Sequence, residues 1–127
     1  MLKESYFANV KNLPQEAHKE YVTRARFNSI LAPSAKLLIE AGIFKKTDGS
    51  KNPKMPFDQF RVKYEKEILA NPAAIERMRF LKELAEQMDV YLICMEKSAL
   101  FCHRSILKTM IECLDIVLPL NTSDMIE

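Results

Sequence analysis

Val90-Tyr-Leu-Ile-Cys94 decides the fold: five consecutive apolar, β-prone residues with no polar position among them. A strand with one wet face alternates apolar and polar residues, whereas a strand covered on both faces reads as a continuous apolar run. The segment is therefore expected at the centre of a small parallel sheet. From Cys94 to Arg104 the chain then gathers two thiols, a carboxylate, an amine, an imidazole and a guanidinium, in Cys94, Glu96, Lys97, Cys102, His103 and Arg104. Residues after Cys102 have helical periodicity, with Ile106, Leu107, Met110, Cys113 or Leu114, and Val117 on one side. The polar groups thus fall on a strand-to-helix connection, where open α/β proteins place ligand sites.

Upstream of the strand, Asn71-Pro72 reads as a helix start, Asn71 as cap and Pro72 at the first helical position, with Ile75, Met78, Leu81, Leu84 or Ala85, and Met88 as the buried stripe. Phe57, Phe60, Tyr64 and Ile68 recur at helical spacing behind Pro56, which suits a first turn. Ser34 caps a shorter helix that Gly42 ends. Lys45 to Lys54 holds Asp48-Gly49 and four lysines, and reads as an exposed basic loop. Two β-like stretches are expected nearer the start, Ser5 to Lys11 and Glu20 to Phe27. In the second, Val22, Arg24 and Arg26 would share one sheet face. Ile116 to Leu120 has the character of an edge strand, and the tail from about 121 is expected to fray.

At 127 residues the chain fits one α/β domain over its whole length. Nineteen basic and 17 acidic residues leave a net charge of +2, which excludes a protein built mainly to grip phosphate backbones and leaves nucleic acid only a local basic patch. No apolar run approaches a membrane span, and Met1-Leu-Lys-Glu-Ser5 lacks the apolar core of a signal peptide, so a cytoplasmic location is expected. Three cysteines, an odd number, argue for free thiols over a disulfide framework.

The two glycines, Gly42 and Gly49, rule out dinucleotide and Walker loops, which need clustered glycines at the phosphate. Chemistry must come from side chains or from the start of the last helix. One reading is an anion site, in which free helix amides, Arg104, Lys97 and Arg24 or Arg26 converge on a phosphate or carboxylate. Another is thiol chemistry at Cys102, whose pKa a helix start beside His103 and Arg104 would lower. Zinc is less favoured: Cys94, Cys102 and His103 are acceptable ligands, but their spacing fits no finger or ribbon and a fourth ligand is not evident. In the bland alternative Cys94 is core, His103 satisfies a buried polar group, Glu96-Lys97 is a solvated turn, and Cys113 is inert packing.

Taken together, Leu31-Ala-Pro-Ser34, Phe60-Arg-Val-Lys-Tyr64-Glu65, Leu92-Ile-Cys94-Met-Glu96-Lys97 and Cys102-His103-Arg104 resemble the prokaryotic family called domain of unknown function 488, over about Val22 to Glu112. The resemblance implies an α/β fold and a pocket built from the C-x-E-K and C-H-R elements, without implying a reaction. By position, Cys94, Glu96, Lys97, Cys102, His103 and Arg104 match the motif residues, and Arg24 or Arg26 resembles an arginine that the family carries on an early strand. Where the family commonly has a proline shortly after that arginine, this chain has Arg26-Phe27-Asn28. The expected function is binding of a small anionic ligand, nucleotide or phosphate-like, with Cys102, His103 and Glu96 as candidate reactive groups. The alternative is a nucleic-acid or protein binding module that uses the lysine-rich loop.

Overall fold

Three parallel strands form the sheet, in the order β1 (Leu2–Tyr6), β3 (Val90–Cys94), β2 (His18–Tyr21). A computed structural model of the chain describes residues 1–24, 26–43, 53–95 and 103–117. β3 lies between the other two, as its apolar run requires, and Val90, Leu92 and Ile93 are almost wholly buried. Its register aligns Glu4, Leu92 and Glu20 across the sheet, and one position further aligns Ser5, Ile93 and Tyr21. Side chains alternate along a strand, so these two rows point to opposite faces.

The face carrying Leu2, Val90 and Leu92 packs against the helices. These residues share one core cluster with Phe60, Tyr64 and Ile68 of α2 (Phe57–Leu69), Met78 and Leu81 of α3 (Pro72–Gln87), and Leu107 of α4 (His103–Glu112). The opposite face, with Ser5, Ile93 and Tyr21, carries a short 3-10 segment, Phe7–Asn12, whose Asn9 donates to the Ser5 hydroxyl at 3.0 Å. One sheet face is thus helical, and among the described residues the other carries this short segment with the Phe7 ring.

Local chemistry explains where the helices begin and end. Ser34 caps α1 (Ala35–Ala41) by accepting from the Leu37 amide, and Gly42 closes it at φ 67°, a left-handed conformation that glycine adopts without Cβ strain. The Ser34 amide and hydroxyl both donate to Glu67, which ties the start of α1 to α2. Asn71 accepts from the Ala73 amide at the start of α3, with Pro72 inside the first turn. Tyr64, fully buried, donates its hydroxyl to the Leu31 carbonyl at 2.5 Å and so holds the loop before α1.

Several expectations need correction. The first β-like stretch lies earlier than Ser5 to Lys11: β1 ends at Tyr6, and Phe7–Asn12 coils into the 3-10 segment because only Leu2 to Tyr6 can pair with Val90 to Cys94. The second is His18–Tyr21 rather than Glu20 to Phe27, so Arg24 and Arg26 do not share a sheet face. Ile116 and Val117 belong to α5 (Leu114–Val117), a helical turn and not an edge strand. Pro56 stands just before α2, Met88 is exposed beyond α3, and Cys113 lies in the turn after α4, leaving the core position to Leu114. The lysine loop from 45 to 52 and the tail from 118 lie outside the described residues. No helix among the described residues is long and apolar enough to cross a membrane.

Glu20 of β2 is nearly buried under α3, where Arg77 grips it with Nε at 2.7 Å from Oε2 and an Nη at 2.6 Å from Oε1. His18 adds a bond at 2.8 Å, and the Arg77 guanidinium lies 4.7 Å from the centre of the Phe80 ring. Burial alone would raise the Glu20 pKa, but the hydrogen bonds and charges of Arg77 and His18 outweigh it and hold the carboxyl below its ordinary value of 4.5. A carboxylate with a lowered folded-state pKa contributes stability above the unfolded value and loses it as pH falls through the folded value. Unfolding free energy should therefore decline below about pH 4.5, and Glu20→Gln should flatten that decline in chemical denaturation across pH. Arg77→Met should cost about 2 kcal/mol at pH 7, the scale of a charged hydrogen-bonded pair that is partly open to solvent.

Candidate functional site at the carboxyl ends of the strands

The polar residues that the fold buries are concentrated at one end. Ser5, Thr23, His103 and Arg104 are all under a tenth exposed, and each lies at or just beyond the carboxyl end of a strand or in the first turn of α4. Cys94, also buried, ends β3 between them. Parallel strands deliver their carboxyl ends to the same edge, so this grouping follows from the sheet itself.

Val22 extends the pairing one residue past β2, with its amide donating to the Ile93 carbonyl at 3.0 Å. Its own carbonyl accepts from His103 Nε2. A carbonyl can only accept, so Nε2 carries a proton and any proton exchange by His103 runs through Nδ1. The Tyr64 ring meets the imidazole edge-on, 5.6 Å between centres at 70°. His103 is thus fixed by β2 on one side and by the α2 core on the other.

Arg104 reaches the opposite edge of the sheet. Its Nε donates to Glu4 Oε1 at 3.0 Å and its Nη1 to the Ser5 carbonyl at 2.6 Å, while Ser105 adds a bond to Glu4 Oε1 at 2.8 Å. Adjacent residues of one helical turn therefore bind β1 and the extension of β2, with the end of β3 between them. Among the described residues the carboxylate that pairs with Arg104 is Glu4, while Glu96 lies outside them. Glu4 was missed because its helix-facing position depends on the register of β1, and that strand had been placed several residues too late.

The other expected residues separate. Arg24 donates its Nε to the Pro33 carbonyl at 2.8 Å and its Nη1 to Asn28 at 2.7 Å, on a groove of about 470 Å³ that Ser34, Glu67 and Asn71 also line. Arg26 is exposed, with its guanidinium 5.2 Å from the centre of the Phe7 ring. Glu96, Lys97 and Cys102 lie outside the described residues. Among the described residues no three His, Cys, Asp or Glu side chains are grouped to hold a metal ion.

Chemically, the described part of the site brings together the start of a ten-residue helix, an imidazole clamped through Nε2 and a buried guanidinium paired with Glu4. Arg104→Ala should cost about 2 to 3 kcal/mol, because the buried Ser5 carbonyl and the Glu4 carboxylate both lose a charged donor. Glu4→Gln should cost about 1 kcal/mol, since an acceptor remains. A double-mutant cycle by urea denaturation should give a coupling of about 1 kcal/mol or more; additive effects would mean that the pair is not formed in solution.

No curated protein and no solved structure matches the chain. A family model does, described as the Active DUF488-N3 subclade, and it matches residues 7–113, nearly the whole of the described fold. The chain belongs to the DUF488 family.

Proposed function

We propose that this protein binds a small anionic ligand, nucleotide or phosphate-like, at the carboxyl ends of its three strands against the start of α4. The observation that supports this reading most is the grouping of Ser5, Thr23, Cys94, His103 and Arg104, buried polar or sulfur-bearing side chains, at that edge of an otherwise apolar core. Among the described residues the other polar side chain buried to this degree is Glu20, under α3 with Arg77 and His18. Polar groups are costly to bury, and a fold that collects them at a sheet edge has them where a polar ligand can be held.

In this reading the first amides of α4 face the anion and Arg104 supplies a positive field while remaining tied to Glu4. Lys97 adds a second charge, and Cys94 lines the floor. Cys102, His103 and Glu96 are the groups through which thiol or acid/base chemistry would run, with His103 acting through Nδ1. Arg24 and Arg26 are not required at the phosphate, since their contacts direct them to the Pro33 carbonyl and the Phe7 ring.

The test is calorimetric titration of the protein with inorganic phosphate, ribose 5-phosphate and AMP, paired with melting curves. A ligand at a hundred times its dissociation constant should stabilise the fold by about 2.7 kcal/mol. Arg104→Gln, which removes the positive charge, should weaken binding by about tenfold, the scale of one lost charged interaction. Absence of binding by all three compounds would overturn the reading.

A further inference from the structure

Beside the proposed anion site stands an aromatic surface that the core does not use. Tyr21, the last residue of β2, and Phe27 stack nearly parallel, 4.3 Å between ring centres at 16°. Phe7, the first residue after β1, lies 6.3 Å from each ring at 57° and 47°, and closes the base of the pair. Phe27 rests on Tyr21 and is 40% exposed, so part of its ring is accessible to a ligand. The register puts Tyr21 in the row of Ser5 and Ile93, on the sheet face opposite the α-helices, at the same carboxyl edge as Cys94 and the start of α4.

The backbone before Phe27 is held in a conformation that its residue does not favour. Arg26 has φ 70° and Asn28 has φ 44°, left-handed values on either side of the exposed ring. Neither is glycine, and for arginine in particular this region carries a steric cost. Specific bonds maintain it: the Asn28 amide donates to the Arg24 carbonyl, the Ser29 amide to the Thr23 carbonyl, and Arg24 Nη1 to the Asn28 side chain. The Arg26 guanidinium rests on Phe7. A loop fastened in a strained shape to present a phenyl ring and a guanidinium at the rim of a site has the form of a recognition element.

We propose that Phe27, backed by Tyr21 and flanked by Arg26, stacks the planar base of a nucleotide whose phosphate lies against the start of α4. The proposal rests on the anion-binding reading above and narrows its ligand to a base carrying a phosphate. A flat heterocycle extends the Tyr21–Phe27 stack by one ring and covers the exposed phenyl face, while Arg26 contributes a cation at its edge. The same unit occurs in single-stranded nucleic acid. The free mononucleotide is favoured because a net charge of +2 gives little general attraction for a polyanion.

Calorimetry with AMP, ribose 5-phosphate and a short single-stranded oligoadenylate, on the wild type and on Phe27→Ala and Phe27→Tyr, tests this. AMP should bind more tightly than ribose 5-phosphate, and Phe27→Ala should lower AMP affinity roughly tenfold, the usual loss when one stacking ring is removed. Ribose 5-phosphate affinity should stay unchanged in that variant, and Phe27→Tyr should retain AMP binding. Equal affinity of AMP and ribose 5-phosphate, with no effect of Phe27→Ala on either, would overturn the base site and leave the anion site standing. Failure of both compounds to bind would remove the anion site and this proposal together. Tighter binding of the oligonucleotide than of AMP, lost in Phe27→Ala, would overturn the choice of a free nucleotide.

Discussion

The first turn of α4 binds the sheet together at its carboxyl edge, and the candidate site depends on that attachment. His103 is committed through Nε2 to the Val22 carbonyl, and Arg104 to Glu4 and the Ser5 carbonyl. These bonds join segments far apart in the chain, and each is made by a side chain that is almost wholly buried. The same contacts that hold the helix on the sheet also fix the proton on His103 Nε2 and pair the guanidinium with a carboxylate. Structure and chemistry are therefore coupled at His103 and Arg104: neither side chain can be changed for function without a cost in packing.

The sheet is asymmetric, and the asymmetry separates stability from recognition. On the helix-facing side, Glu20 with Arg77 and Glu4 with Arg104 fasten β2 and β1 to α3 and α4 around an apolar centre of Val90 and Leu92. On the other side, among the described residues, lies the 3-10 segment with Phe7, Tyr21 and Phe27. Parallel sheets usually have both faces covered by helices. Here the thinner cover leaves aromatic rings near solvent at the same edge where the buried polar groups collect.

Much of the fold was legible because short-range chemistry decided it. The unbroken apolar run Val90 to Cys94 specified an interior strand, Ser34 and Gly42 marked both ends of α1, and Asn71-Pro72 marked the start of α3. β1 and β2 were displaced in the reading because their flanks, Phe7 to Lys11 and Val22 to Phe27, are as β-prone as the strands themselves, and only the register against β3 selects the paired residues. His103 and Arg104 could be marked as chemically significant from their place at a helix start. Glu4 could not, since its role comes from a pairing a hundred residues long. Arg24 and Arg26 were read as neighbours on a strand, whereas left-handed backbone at Arg26 and Asn28 turns the chain and sends the two guanidinium groups to different partners.

The family places this chain among relatives without assigning it a reaction, so the central claim rests on where a ligand binds. Amide chemical-shift mapping by NMR, with AMP titrated into uniformly labelled protein, tests it most directly. The account predicts the largest shifts at the amides of His103, Arg104, Ser105 and Cys94, with a second group at Tyr21 and Phe27. Shifts confined to the lysines of the α1–α2 groove, Lys36, Lys63 and Lys66, with the start of α4 unmoved, would contradict it.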